Sequence, residues 1–139
     1  MFGVRHSLVT LHDPVFGPLT GAPTHGWTNE ASLALGPRPI QLVIAAPASG
    51  PTEAQRSEFL MLKDASCGRL AAATQAVLDL RSSMGLSQTA VWLSGVSVPE
   101  RSGAQPALWT LWFDSNDDDV FMFGVQTDDW VTFRAFADD

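Results

Sequence analysis

The chain has 139 residues, 45% of them hydrophobic and 17% charged, and a formal net charge of −7. That length and balance describe one folded domain, 1–139, with a sizeable core, and exclude a disordered chain. A single cysteine, Cys67, excludes an intrachain disulfide framework and a multi-cysteine zinc site.

The charge is unevenly spread. Residues 1–113 hold seven acids and seven bases, so they sum to zero. Residues 114–139 hold eight aspartates against one base, Arg134, and carry the whole imbalance. Phosphate binding needs the opposite sign, so nucleic acid is not the expected partner. An acidic region suits a basic protein partner, because complementary charge speeds encounter. The competing reading is that the acids only keep the protein soluble. The start, MFGVRHSLVT, has no long apolar leader core, and no run of about 18 apolar residues occurs. The expectation is a soluble cytoplasmic protein with no membrane partner.

Strands are expected over about 6–46. RHSLVTLHD alternates as a first strand and breaks at Asp13-Pro14, and PVFGPLTG reads as its return. GWTNEASLAL places Trp27, Asn29, Ala31, Leu33 and Leu35 on one face, the pattern of a half-buried strand. IQLVIAA is a β-branched run and predicts a more buried strand.

A helical segment is expected over about 52–84. Thr52-Glu53-Ala54-Gln55 fits a capping box, and Glu53 suits the positive end of the helix dipole. An apolar stripe follows through Phe59, Leu62, Ser66, Leu70, Ala73, Val77, Leu80 and Met84. It is interrupted at Ser66-Cys67-Gly68, where a kink or a break into two helices is expected, since glycine is a poor helix residue. Gly85 is a natural stop.

Strands return over about 89–136. TAVWLSGVSV fits a strand or a loop that packs Trp92. ALWTLWF, VFMFGV and WVTFRAF then form a meander joined by DSNDDD and QTDD, both rich in turn formers. In the first, Leu108, Thr110 and Trp112 oppose Trp109, Leu111 and Phe113, which suits a central strand. In the last, Trp130, Thr132 and Arg134 oppose Val131, Phe133 and Ala135. The predicted fold class is α+β: an antiparallel sheet of N-terminal strands and a C-terminal meander, with one long or broken helical segment packed on one face. A helix layer on one face leaves aromatic surface beside aspartates on the other. A sheet covered on both sides is the equal alternative.

Residues 113–124, FDSNDDDVFMFG, draw attention as candidate chemistry. Asp114, Asn116 and Asp118 match the first ligands of an EF-hand loop, but Asp119 stands where glycine is required and Val125 where the bidentate glutamate belongs. A weaker calcium site at the hairpin tip and a plain polar turn stay open. Aspartates crowded into an exposed turn share solvent, so their environments do not push two pKa values apart for acid–base catalysis. His6, His12 and His25 form no ligand pair of recognisable spacing. Cys67 lacks the surroundings of a nucleophile and is expected as a small core residue. No catalytic, metal or cofactor residue is therefore assigned. The expected partner-binding residues are Asp117, Asp118, Asp119, Asp128, Asp129 and Trp130, in or beside the last two turns.

DPVFGPLT, GWTNEASLAL, PIQLVIAAP, the helix opening at Thr52 and the final ALWTLWFDSNDDDVFMFGV together resemble a loose group of small bacterial domains of unknown function. The matching positions are Phe16, Gly17, Trp27, Gln55 and the meander from Phe113 to Gly124. Relatives in that group often end in a Glu-His-Gly turn where this chain has DSNDDDVFMFG. Members are often encoded beside secreted toxins, so the resemblance implies an immunity-type protein that occludes the basic site of a toxin. The alternatives are an adaptor domain without enzymatic activity and a metal-dependent hydrolase with a scattered site.

Overall fold

Residues 9–22, 26–29, 33–35, 38–100, 107–116 and 122–138 are described by a computed structural model of the chain. Among them the elements are β1 (Val9–Asp13), β2 (Gly17–Ala22), β3 (Gly26–Asn29), β4 (Leu33–Ala34), β5 (Pro39–Ile44), α1 (Glu53–Lys63), α2 (Arg69–Ser83), β6 (Val91–Val98), β7 (Trp109–Ser115), β8 (Met122–Thr127) and β9 (Arg134–Asp138). The strands form one sheet in the order β1-β2-β3-β5-β6-β7-β8-β9, with β4 paired to β5. The protein is α+β, with N-terminal strands and a C-terminal meander. Every neighbouring pair is antiparallel except β5 and β6, which run parallel. Parallel neighbours need a long crossover, and α1 and α2 supply it. None of the described helices is long and apolar enough to cross a membrane.

The helical segment starts where the capping box places it. The Gln55 N–H donates to Thr52 Oγ1 at 3.2 Å, and the Thr52 N–H donates to Gln55 Oε1 at 2.9 Å. Gln55 has a second task that spacing could not show. Its buried amide Nε2 donates to the carbonyls of Ala45 at 2.7 Å and Pro99 at 2.8 Å, just past the ends of β5 and β6. The ligand crevice that parallel strand ends offer in α/β sheets is thereby bridged by the protein's own side chain.

The segment breaks at the expected place. A 3-10 turn, Ala65–Cys67, and Gly68 at φ 69° separate the two helices. The break changes Cys67, which was expected in the core: it sits in the turn, exposed, with its thiol 3.4 Å from Asp64 Oδ2. Past the break the stripe holds until its end. Phe59, Leu62, Ala73 and Val77 are buried, and Leu70 and Leu80 half-buried, but Met84 is exposed and Arg81 takes the buried position instead. Arg81 is held by a 2.9 Å hydrogen bond from Nη2 to the Ser87 carbonyl and lies 5.4 Å from the Phe123 ring centroid. Cation–π contact of this kind softens the cost of burying a charge.

One strand expectation lies partly outside the described residues, and another needs correction. Of GWTNEASLAL the described residues form β3, up to Asn29, and β4, from Leu33, both antiparallel to β5, and residues 30–32 lie outside the described set. The Asn29 side chain bonds across to the β5 backbone. Its amide donates to the Ile40 carbonyl at 3.0 Å and accepts from the Leu42 N–H at 2.9 Å. β5 is not buried throughout. Ile40, Leu42 and Ile44 point into the core, while Gln41 and Val43 are exposed.

The core lies between the helices and one face of the sheet. Leu42 and Ile44 of β5, Leu93, Val96 and Val98 of β6, Trp109, Leu111 and Phe113 of β7, and Phe123 and Val125 of β8 all point to it. The β1–β2 turn is anchored to α1 by a buried acid. Asp13 accepts from the N–H groups of Val15 at 3.0 Å and Phe16 at 2.9 Å, and from Arg56 Nε at 2.9 Å. The Asp13 hydrogen bond holds the Arg56 guanidinium above its ordinary pKa.

Candidate interaction surface

Period 2 sends half of each strand to the face opposite the helices. On β5 to β9 that face carries Gln41 and Val43, Gly95 and Ser97, Thr110 and Trp112, Met122 and Gly124, and Arg134, Phe136 and Asp138, as the registers require. The equal choice left by the sequence is thus decided among the described residues in favour of an open face. Val43 is 51% and Met122 41% exposed.

A groove of about 230 Å³ runs along this face between Val43 on one side and Trp112 and Met122 on the other. Its floor is the small-residue column Ser94, Gly95 and Ser97 of β6. The column exists because β6 bulges between Leu93 and Gly95. The bulge keeps Leu93 and Val96 both in the core, although they are three residues apart. The Ser94 hydroxyl donates to the Trp112 carbonyl at 3.2 Å, and the Trp112 indole N–H donates to Ser97 Oγ at 3.2 Å. Trp112 is thereby pinned across the groove. Its far side meets Phe136 edge-on, with centroids 5.5 Å apart. Phe136 in turn occupies the space above Gly124, where a Cβ would collide with its ring.

One end of the face is acidic. Trp92 stands opposite Asp114, and Met122 opposite Asp138, at the end where the β7–β8 hairpin turns. The Arg38 guanidinium covers the Trp92 ring at 3.9 Å. Asp117, Asp118 and Asp119, three of the expected binding residues, fall outside the described residues. Asp128 and Asp129 are exposed but lie at the other end of β8, about 17 Å away at 3.4 Å per residue. Asp128 and Asp129 therefore stand apart from Asp114 and Asp138.

Asp129 serves its own turn. Its Oδ1 accepts from the N–H groups of Val131 at 2.9 Å and Thr132 at 2.7 Å, and these bonds, that to Thr132 first, hold its carboxyl below the usual range. The Trp130 N–H donates to Thr127 Oγ1 at 3.0 Å, and Trp130 adopts φ 58°. The last strand was expected from Trp130, but this turn delays it to Arg134. It also swings the Trp130 indole inward, 8% exposed and 5.3 Å from Trp109. Trp130 offers a partner little surface. Trp112 and Met122 offer more, and the sequence signal for them was their position on a central meander strand opposite the core set.

Among the described residues no group of three or more His, Cys, Asp or Glu side chains could hold a metal ion. Comparison with protein-family models, with curated proteins and with solved structures finds no match.

Proposed function

We propose that this chain is a protein-binding domain that takes a basic protein surface against the open face of its sheet, at the acidic end of the groove. Occlusion of a toxin's basic site, the immunity role, is the specific form that the family resemblance implies. The observation that supports the reading is the open groove itself. Large apolar side chains, Val43, Trp112 and Met122, stand on a rigid sheet and run into Asp114 and Asp138. Interfaces combine fixed apolar anchors with charges that steer encounter. The net charge of −7, all of it contributed by residues 114–139, selects a basic partner.

The test begins with a partner captured from the native cell and purified. Val43→Glu and Met122→Glu should each weaken its binding about tenfold or more. Asp114→Asn with Asp138→Asn, or Asn at Asp117 to Asp119, should slow association and flatten its salt dependence. Leu60→Glu and Met61→Glu, on the exposed side of α1, serve as controls and should bind normally. If the α1 changes abolish binding and the sheet-face changes do not, the open face is the wrong surface.

A further inference from the structure

β9 is the last strand of the sheet, and among the described residues no strand pairs with its outer edge. Edge strands are commonly protected by proline, bulges, or charges of one sign that repel a second edge. β9, RAFAD, has no proline, and its pairing with β8 is regular from Arg134 to Asp138. Its two charges have opposite sign and stand equally far from Phe136, two residues before it and two after.

We propose that β9 is a self-recognition edge, pairing antiparallel with β9 of a second copy about a two-fold axis at Phe136. In that register Arg134 lies opposite Asp138 of the second copy, and the contact occurs twice. Ala135 lies opposite Ala137 on the helix side, where small residues let the strands close. On the open side the Phe136 ring leans inward over Gly124 and leaves the seam free of bulk. A two-fold axis normal to the sheet continues the open face of one copy into the open face of the other. α2, which packs over β9, presents small Ala71 and Ala72 among its exposed residues.

Two chains of charge −7 repel at long range, but that repulsion is screened beyond about 8 Å at physiological salt, and the two Arg134–Asp138 contacts fall inside that length. Five residues per edge make a small interface, so the dimer is weak and concentration-dependent. The pairing leaves the groove residues uncovered, and of the acids proposed above to steer a partner it engages Asp138 but not Asp114.

Sedimentation velocity on the full chain from about 5 to about 500 µM tests it, the range in which a small interface associates. The expected result is a mass rising toward two chains, with amide exchange at 134–138 slowing as concentration rises. Arg134→Asp sets like charges opposite each other and should weaken association about tenfold. Arg134→Asp combined with Asp138→Arg restores opposite charges and should restore the dimer. Asp138→Arg alone, at an exposed position, gives the same readout should Arg134→Asp fail to fold. A chain that stays monomeric across the range overturns the proposal. So does a dimer indifferent to the single reversals, or one that the double exchange fails to recover.

Discussion

The two faces of strands β5 to β9 come from the same few residues, yet they are built on different terms. The helix-side face is continuous aliphatic and aromatic packing: Leu42, Ile44, Val96, Leu111, Phe113, Phe123 and Val125 are all nearly inaccessible. The open face is held by specific pairs instead. Trp112 is fixed by Ser97 and by Phe136, and Phe136 by the missing side chain at Gly124. The first kind of face derives its stability from buried area; the second derives its shape from a few contacts, and shape is what a binding surface needs. Mutation should separate them.

The largest effect is expected on the packed face. Leu111→Ala leaves a cavity between β7 and the helices and should cost about 3 kcal/mol in denaturant unfolding. A loss below about 1 kcal/mol would mean that the helix layer is loosely packed. Asp13→Ala comes next. It frees two backbone N–H groups and strands Arg56, and should cost about 2 to 3 kcal/mol, Arg56 being partly screened by solvent. Gly124→Ala follows, and it tests whether the open face has order of its own. The added methyl must displace the Phe136 ring, with a cost of about 1 to 2 kcal/mol and a changed near-ultraviolet signal from Trp112. An unchanged signal would show that the Trp112–Phe136 contact is not fixed. Val43→Thr, by contrast, should stay within about 0.5 kcal/mol, because its side chain is already in water. A large loss there would mean that the open face is covered in solution.

The smallest effect is one of pH, at the β8–β9 turn. The Asp129 carboxyl titrates below its ordinary value in the folded chain. Its contribution to stability is therefore complete above the unfolded value of about 3.9 and is lost as pH falls through that value toward the folded one. Tryptophan fluorescence from the Trp109–Trp130 pair should report loosening of this turn only below about pH 4, and Asp129→Ala should remove that transition. A transition centred well above pH 5 would assign it to another group.

Local chemistry was readable wherever the signal is local. Thr52 and Gln55 marked the start of α1, Gly68 its interruption and Gly85 the end of α2, because capping and left-handed backbone depend on adjacent residues. The β7–β8 hairpin and the faces of β7 followed from period 2. Failures came where a residue answers to a distant partner. Trp130 is carried inward by a turn that Asp129 and Thr127 close, which alternation along WVTFRAF does not anticipate. Cys67 leaves the core because the helix breaks at it, and Arg81 is buried where the stripe had pointed to Met84 because the buried line of α2 runs Ala73, Val77, Arg81.

By itself, then, the sequence determined the α+β class, the element order and the acidic C-terminal quarter. These depend on spacing, on caps and on composition, which act along the chain. The tertiary structure alone decided that β5 and β6 run parallel, that a bulge at Ser94 opens a groove, and that β9 ends the sheet with opposite charges placed evenly about Phe136. Each of these depends on which strand lies beside which and in what register, and that is set by packing between residues far apart in the chain.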